Sequence, residues 1–360
     1  MMQNNRLSRL AARVTTLCAI GCLVAFSLPA VGESKKSFNV CWTIYAGWVP
    51  WGYVDSSGII DKWARKYGID IRITQINDVG EALNQYAAGK FDACSMTNMD
   101  ALIVPVVGGV DTTALVVGSY SDGGDGVVIK GKGKTLKDLK GMSVYLPELT
   151  VSHYLLARGL ETAGLRERDV KVVNTSDADL VAAYDTGNVL AAVAWNPQLM
   201  TLKARPDTME IFNSHQIPGE IIDIMVANTR VLKDNPALGK ALTGAWYEVM
   251  AMIKAGNAEA LEAMAKSSGT DLASYRAQLK NTHLFHTPQE NLVFVTSPDL
   301  IKTMRRVAQF SFEKGLLGEG AKNAEAIGMS FPGGVTLGDK KRILFRFDDA
   351  FIRMAIKGGL

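Results

Sequence analysis

The chain has 360 residues, of which 48% are hydrophobic and 21% are charged, and its formal net charge is +3. This length predicts two domains. The basic excess comes from Arg6, Arg9 and Arg13, without which the 39 basic residues become 36, equal to the 36 acidic ones. The remaining chain is formally neutral and lacks the basic stripe typical of nucleic-acid-binding proteins, so we expect no nucleic-acid partner.

Residues 1–32 predict a cleaved secretory signal peptide. They begin with basic residues, continue with an apolar stretch from Leu17 to Leu28, and end with the small residues Ala30 and Gly32 at the positions that signal peptidase requires. The apolar stretch is too short to span a bilayer, which disfavours a retained anchor. Lipidation at Cys22 is the other alternative, but the residues before it form a poor lipobox. We therefore expect cleavage after Gly32 and a periplasmic protein.

Two cysteines, Cys41 and Cys94, follow the predicted leader. An oxidising compartment permits a disulfide between them. Buried free thiols are also common core residues, so the sequence leaves both states open.

The first part of the chain predicts alternating strands and helices. Residues 59–67 place Ile60, Trp63, Ala64 and Tyr67 on one helical face, and Gly68 is a suitable C-terminal cap. The predicted strands are 38–46, 69–76 and 91–96, and the predicted helices are 59–67 and 79–88. This order predicts a parallel sheet covered by helices.

A second unit of the same kind follows about a hundred residues later. Gly89 stands between a predicted helix and a predicted strand, and Tyr86 precedes it by three residues. Gly187 has the same position between a helix and a strand, with Tyr184 three residues before it. Its predicted strands are 141–146, 170–174 and 189–195, and its helices are 151–163 and 177–186. The strand-like run 221–228 leads back, and the helices 236–254, 257–267 and 299–314 follow. We predict an α/β protein with two lobes, each a mainly parallel sheet. Lobe one comprises residues 38–124 and 229–360, and lobe two comprises residues 125–228.

Motifs for catalysis or metal binding are nearly absent from the sequence. The segment 126–132 has the glycine and lysine spacing of a phosphate-binding loop, but Gly133 replaces the hydroxyl residue that holds magnesium. His283 and His286 could chelate a metal if they were helical, but no cysteine or acid cluster accompanies them. We therefore expect no catalytic residue, no metal and no cofactor, and we predict that the protein is not an enzyme.

Five aromatic residues lie between Trp42 and Tyr53. Trp48 and Trp51 flank Pro50 in a segment that we interpret as a loop, and exposed loop tryptophans commonly serve recognition. Packing within their own lobe is the alternative. Trp195, at the end of an alanine-rich strand, adds another candidate aromatic contact.

Acidic residues stand at other predicted strand ends. They are Asp125 in a glycine-rich turn, Glu148 after residues 145–147, and Asp223 in the apolar run 221–226. An acid on a largely buried strand needs a partner. Aromatic faces together with carboxylates suit a cation or a ligand with several hydrogen-bond donors.

The sequence resembles the nitrate, sulfonate and taurine group of solute-binding proteins of ABC importers over nearly all of the chain after the leader. The segments that carry the resemblance are Leu136–Pro147 with Ser152–Leu156, Ala191–Pro197 and Ile222–Pro236. It implies a type II periplasmic-binding-protein-like fold with the ligand in a cleft between the lobes. It also implies a membrane permease and an ATPase subunit as partners, and we expect a monomer.

The resemblance also bears on the ligand. In the taurine branch an acid at the position of Asp223 pairs with the ligand amine. Thr97 and Asn98 stand where small residues help to hold an anion in sulfonate binders, and we include both among the predicted ligand contacts. The tryptophan-rich segment and the residues 331–335 and 346–349 resemble a branch associated with urea or guanidine carboxylase systems. A urea- or guanidinium-like ligand is therefore our first expectation, and a taurine-, sulfonate- or nitrate-like ligand is the alternative.

Two other classes of function stay open at this point. One is an exported enzyme of the pyrimidine-biosynthesis type on the same fold, against which export and the lack of a His or Cys cluster argue. The other is a two-lobe sensor domain that acts on another protein.

Overall fold

The computed structural model describes residues 35–360. The predicted signal peptide, residues 1–32, lies outside the described residues. Within residues 35–360, no helix has the length and apolar character needed to cross a membrane.

The first part of the chain alternates strands and helices, as the sequence predicts. Its elements are β1 Ser37–Trp42, α1 Val49–Ser56, α2 Ile59–Lys66, β2 Asp70–Gln75, α3 Val79–Ala87, β3 Ala93–Thr97, α4 Asn98–Ala101 with a π-helical extension Leu102–Val106, and β4 Thr112–Ser121. Gly68 and Gly89 adopt positive φ angles of 65° and 75° where α2 and α3 end, which is the helix-terminating conformation that the sequence suggested.

The middle of the chain repeats this alternation. Its elements are β5 Asp125–Lys130, β6 Ser143–Leu146, α5 Val151–Thr162, β7 Lys171–Asn174, α6 Asp177–Asp185, β8 Ala191–Trp195, α7 Gln198–Lys203, β9 Thr208–Asn213 and β10 Ile222–Asn228. Gly187, between α6 and β8, has a φ of 85°, like Gly89 between α3 and β3.

The C-terminal part is mostly helical. Its elements are α8 Thr229–Asp234, α9 Pro236–Lys254, α10 Ala258–Ser267, α11 Leu272–Lys280, β11 Thr282–Leu284, α12 Pro288–Val295, α13 Pro298–Glu313, β12 Gly328–Phe331, β13 Val335–Leu337, β14 Ile343–Phe347 and α14 Ala350–Ile356.

The strands form two sheets, which define a larger and a smaller lobe. The larger sheet has the order β13-β12-β14-β4-β10-β3-β1-β2, with β11 paired to β4, and the smaller sheet has the order β7-β6-β8-β5-β9. Both sheets are mixed. β1 pairs in parallel with β2 and β3, and β6 pairs in parallel with β7 and β8, whereas β10 and β5 run antiparallel to their neighbours.

The two sheets share a common arrangement, which accounts for the internal echo in the sequence. The order β2-β1-β3-β10 in the larger sheet corresponds to β7-β6-β8-β5 in the smaller one, and in each case the last strand is antiparallel to the third. Ligands of open α/β sheets bind beyond the carboxyl ends of the parallel strands, so we expect a ligand site at this end of the two sheets.

Two sequence-based assignments differ from the structure. β10 was assigned to lobe two, within 125–228, but it pairs with β3 and β4 in the larger sheet. The sequence predicts a loop where Trp48 and Trp51 flank Pro50, but Val49–Ser56 form α1. Pro50 stands in the first helical turn, where its missing N–H costs no intrahelical bond, so it does not prevent the helix.

A disulfide joins Cys41 on β1 to Cys94 on β3, which are directly paired in the sheet. The sequence left this bond open.

An ion cluster around the buried Glu220 joins the lobes beside β10. Glu220 accepts hydrogen bonds from Arg158 of α5, in the smaller lobe, at 2.7 and 3.1 Å, and from Arg306 of α13, in the larger lobe, at 2.7 Å. Tyr154 of α5 also donates to it at 2.6 Å. Burial raises the pKa of Glu220, but the bonds from Arg158 and Tyr154 outweigh this and the net shift is downward.

Candidate ligand-binding cleft

A cavity of about 730 Å³ is lined by residues that follow strands of both sheets. Of the predicted ligand residues, six line it: Trp48, Thr97, Asp125, Glu148, Trp195 and Asp223. The other two, Trp51 and Asn98, do not. A cavity of this kind, with a few polar groups among apolar ones, is the usual form of a small-molecule site.

Asp223 lies near the start of β10 and is 2% exposed. Its Oδ2 accepts a hydrogen bond from the Ser119 hydroxyl of β4 at 2.6 Å. Burial, followed by the charges of Asp125 and Asp100, raises the pKa of Asp223 to about 8, although the bond from Ser119 opposes the shift. A carboxylate in this environment gains from any positive charge that replaces lost hydration.

Asp125 is the first residue of β5 and is also 2% exposed. Its Oδ2 accepts a hydrogen bond from the Ser121 hydroxyl at 2.5 Å. The Ser121 hydroxyl oxygen lies 2.8 Å from the hydroxyl oxygen of Ser214, which follows β9. Burial raises the pKa of Asp125 to about 6, with an opposing contribution from Ser121 and a further increase from Asp100.

The two aspartates occupy equivalent places in the two sheets. Asp223 pairs with Thr97, the last residue of β3, and Asp125 pairs with Trp195, the last residue of β8. Each carboxylate therefore stands at the carboxyl end of the third strand of its unit, and the cavity has one buried acid from each lobe.

Asp100, on α4, is a third buried acid that lines the cavity. It forms a capping box with Thr97, in which Oδ2 of Asp100 accepts from the Thr97 N–H at 3.1 Å and Thr97 Oγ1 accepts from the Asp100 N–H at 3.1 Å. Burial raises the pKa of Asp100, and hydrogen bonds to its carboxyl group from the side chain and the backbone N–H of Thr97 oppose this.

Tyr45 and Trp48 contribute aromatic rings that meet edge to face, with centroids 5.3 Å apart. The Tyr45 hydroxyl is buried beside the side chains of Ser121 and Thr282, but none of its contacts within residues 35–360 has full hydrogen-bond geometry. Its pKa is raised by burial and then by the charges of Asp223 and Asp125, so it stays a donor near the carboxylates. Trp48 Nε1 is likewise buried without an acceptor in the described part of the chain. Buried donors of this kind point to a polar ligand.

Gly47 permits the close approach of this aromatic segment to Asp223. A Cβ atom at position 47 would lie 2.5 Å from Ser119 Oγ and 3.1 Å from Asp223 Oδ2. Any side chain at this position would therefore displace the bond that orients the carboxylate.

Two predicted contacts have structural roles instead. Trp51 lies on α1, is 1% exposed and stacks on Trp246 of α9 with centroids 4.9 Å apart, so it belongs to the core of the larger lobe. Asn98 is fully buried, and its amide donates to the Glu220 carbonyl and accepts from the Ile222 N–H. It ties α4 to the start of β10. Both side chains are buried away from the cavity. For Trp51, the interpretation as a loop did not predict this burial.

Sequence reasoning missed Tyr45, Asp78 and Asp100 as lining residues. Tyr45 is one of the five aromatic residues from Trp42 to Tyr53. Its position just after β1 is the signal that could have identified it. Asp78 caps α3, where its Oδ1 accepts from the Glu81 N–H at 2.7 Å, so its sequence pattern predicts only a helix start.

The charge around the cavity has one sign. Within the described chain the acids Asp78, Asp100, Asp125, Glu148, Asp177 and Asp223 line it, and no Lys, Arg or His side chain does. Residues 35–360 contain no group of three His, Cys, Asp or Glu side chains arranged to hold a metal ion.

Residues 62–283, more than half of the chain, match the family model described as NMT1/THI5 like. The chain belongs to this family. Among curated relatives, the taurine-binding periplasmic protein of Escherichia coli is 24% identical over 201 residues, which are 53% of this chain and 61% of the relative. A protein of Brucella abortus with the provisional name of a binding protein is 25% identical over 219 residues, 60% of this chain and 67% of the relative. These relatives support the resemblance to the nitrate, sulfonate and taurine group.

Solved structures show the fold. The periplasmic aliphatic sulphonate binding protein SsuA of Escherichia coli superimposes with a TM-score of 0.68 at 18% identity, over 81% of this chain and 96% of SsuA. The two-lobe, periplasmic-binding-protein-like fold is thereby confirmed. The desulfurization enzyme DSZB also shares the fold, with a TM-score of 0.54 at 14% identity over 78% of this chain and 93% of the enzyme. The fold alone therefore does not separate binding proteins from enzymes.

Proposed function

We propose that this protein is the solute-binding component of an ABC-type importer and that it captures a small nitrogen-containing solute, either a urea-like donor of hydrogen bonds or a guanidinium-like cation. The observation that carries the proposal is the pair of buried carboxylates, Asp125 and Asp223, one from each sheet, in a cavity that no basic side chain of residues 35–360 lines. A ligand that donates to both would join the two lobes.

The helix N-termini at the cavity argue against an anionic ligand. Such termini attract anions unless their N–H groups and dipoles are already compensated. Here α3 is capped by Asp78, and α4 carries Asp100 in its capping box. α6 is capped by Ser176 and has Asp177 in its first turn, and α5 is capped by Thr150 beside Glu148. Side-chain oxygens and acidic residues of the protein thus already compensate the helix N-termini to which a sulfonate would bind.

The aromatic residues of the cleft support the same choice. A cation over an aromatic face gains about 0.5–2 kcal/mol. Charge-assisted hydrogen bonds to a carboxylate are roughly twice as strong as neutral ones. Trp48 and Trp195 both line the cavity that contains the two aspartates, and Trp195 pairs with Asp125 in the sheet.

The rest of the functional context is part of the proposal. The family, and relatives named as periplasmic binding proteins, support export by the predicted leader and delivery of the solute to a permease with its ATPase. A taurine-like ligand is the second candidate, favoured by the name of the Escherichia coli relative. Taurine could place its ammonium group at Asp223, but its sulfonate would meet further carboxylates.

Calorimetry of the exported form, residues 33–360, with guanidinium, urea, taurine and nitrate tests the proposal. We expect saturable binding of guanidinium and no binding of nitrate. Taurine binding without any response to guanidinium would contradict it. A turnover assay with the bound solute separates a binding protein from an enzyme on the same fold.

A further inference from the structure

We propose that the natural ligand is an amphipathic organic cation, with a positively charged head at Asp125 and Asp223 and an apolar body of several carbon atoms, and that Leu149 determines this specificity. The inference rests on the proposed function and narrows its ligand class. Guanidinium would then represent the head group alone.

The size of the cavity is the first observation. Its volume of about 730 Å³ lies in the range of roughly 300–1,000 Å³ that holds drug-sized ligands. One water molecule takes about 30 Å³ of liquid, and a guanidinium ion takes the room of about two or three. A head group alone would therefore fill only a small part of the space.

The distribution of side chains is the second observation. Besides the acids, the cavity has an aliphatic wall formed by Ile44, Val79, Leu83, Ile103, Val104 and Leu149. Ile44 follows β1 of the larger sheet, whereas Leu149 follows β6 of the smaller sheet. Apolar surface from both lobes thus lines the same cavity as the carboxylates, and a purely polar ligand would leave this surface in contact with water.

The exposure of two of these residues is the third observation. Ile44 is 37% exposed and Leu149 is 38% exposed, although both line the cavity. Large apolar side chains that remain exposed in a concave site commonly contact a ligand.

The backbone of Leu149 is the fourth observation. Leu149 has a φ of 65°, and among residues 35–360 it is the one non-glycine residue with a positive φ. Glycine adopts this conformation without the steric cost that a leucine side chain incurs. Backbone strain of this kind is concentrated at functional sites, so we assign the Leu149 side chain to ligand contact and not to folding.

Hydrogen bonds hold this strained turn in place. The Leu149 N–H donates to His153 Nδ1 at 3.2 Å, and the Glu148 N–H donates to Asn174 Oδ1 at 3.0 Å. The Thr150 hydroxyl donates to the Pro147 carbonyl at 2.7 Å. The turn is therefore fixed at both ends, and it presents Leu149 at the N-terminus of α5.

A series of guanidinium ions with methyl, ethyl, propyl and butyl substituents tests the proposal on the exported form. All members carry the same head group. The change of affinity with chain length therefore measures only the contact between the alkyl chain and the aliphatic side chains of the cavity. We expect the affinity to rise about fourfold for each added methylene that is buried. Unchanged or falling affinity from methyl- to butylguanidinium would overturn the inference and leave the proposed function in place. If no member of the series bound while taurine did, both would fail.

The variant Leu149→Gly separates ligand contact from folding. Because glycine accepts a φ of 65° without strain, we expect this variant to be at least as heat-stable as the wild type. Binding of butylguanidinium should weaken about tenfold, and that of methylguanidinium should barely change. Leu190→Gly is the matched control, because Leu190 is 47% exposed and does not line the cavity. An equal loss for both guanidinium ions, or no loss for either, would overturn the role of Leu149.

Discussion

Ser119 and Asp223 are directly paired across β4 and β10, and the serine hydroxyl donates to the carboxylate at 2.6 Å. Both residues are almost fully buried, and Gly47 passes so close that it leaves no room for a side chain. Three segments distant in sequence thus fix the orientation of one carboxylate, whose unshared oxygen lone pairs are left for a ligand.

Replacing Asp223 with asparagine should abolish tight binding of a cation. The substitution keeps the shape and the bond from Ser119 but removes the charge, and loss of a charge-assisted partner costs roughly 2–5 kcal/mol in a buried site. Calorimetry with an alkylguanidinium measures the effect. Asp61→Asn is a suitable control, since Asp61 is an exposed acid on α2. Equal affinities for the wild type and D223N would exclude Asp223 from the site.

The affinity for a guanidinium ion should rise with pH between 6 and 8. The pKa of Asp223 is raised to about 8 and that of Asp125 to about 6, so at pH 6 the cation must displace a proton from Asp223. The guanidinium group itself stays protonated throughout this range. Well below the pKa of Asp223, we expect a loss of about tenfold for each pH unit.

Calorimetry in buffers of different ionisation enthalpy should also detect the released proton. The variant D223N serves as the reference for both measurements, because its residual binding should lose the part of the pH dependence that Asp223 causes. A flat profile for the wild type between pH 6 and 8 would contradict the coupling.

The contribution of Asp223 to the stability of the ligand-free protein should fall as the pH rises from about 4 to about 8. Asp223 binds its proton more tightly in the folded chain, where its pKa is about 8, than in the unfolded chain, where it has its ordinary value of 3.8. The folded state therefore holds more protons over this interval, which makes stability decrease with pH. Thermal melts at several pH values should show that the melting temperature of D223N rises relative to that of the wild type as the pH increases. A constant difference between the two proteins would argue against a raised pKa.

Gly47→Ala should weaken binding more than it weakens folding. The added Cβ must displace the Ser119 hydroxyl, to which it would lie at 2.5 Å, and so disturb Asp223. We expect an affinity loss of about tenfold, comparable to the loss of one hydrogen bond to a charged group. Gly320→Ala is the control, because nothing lies within 4 Å of a Cβ at that position and its φ is not positive. Affinity losses of similar size in both variants would show that Gly47 has no special role.

The two tryptophans of the aromatic segment should respond differently to substitution. Trp51→Ala should cost about 3–5 kcal/mol of stability, because the ring is buried against Trp246. Trp48→Phe keeps an aromatic ring in the cavity but removes the buried Nε1 donor, so it should lower affinity with a small change in melting temperature. Thermal melts and calorimetry on the same samples separate the two effects. A larger stability loss in W48F than in W51A would contradict these assignments.

Much of the fold could be predicted because the chain signals its elements locally. The helix 236–254 and the ends of α2 and α3 follow from apolar periodicity, Pro236 and the glycines at positive φ. The pairing of β10 with the larger sheet could not be predicted, because an apolar strand carries no information on its neighbours. α1 was missed since Pro50 and Gly52 weaken the helical pattern, although burial of its apolar residues outweighs their low propensity.

The site was predicted less completely than the fold. Asp223 and Asp125 could be singled out, because an acid in or beside an apolar strand is unusual in any sequence. The equivalence of their positions depends on strand register in two sheets, which no local pattern encodes. Trp63 shows the limit of a periodicity argument, because it lies on the predicted face of α2 but is only partly buried and donates to Glu248 at 2.7 Å.

The ion cluster at Glu220 has a consequence for motion. Its carboxylate is shared between Arg158 of the smaller lobe and Arg306 of the larger lobe, and withdrawing either arginine would leave a buried charge with less compensation. Moving α5 away from α13 is therefore costly. Glu220 thus ties α5 of the smaller lobe to α13 of the larger lobe through two ion pairs.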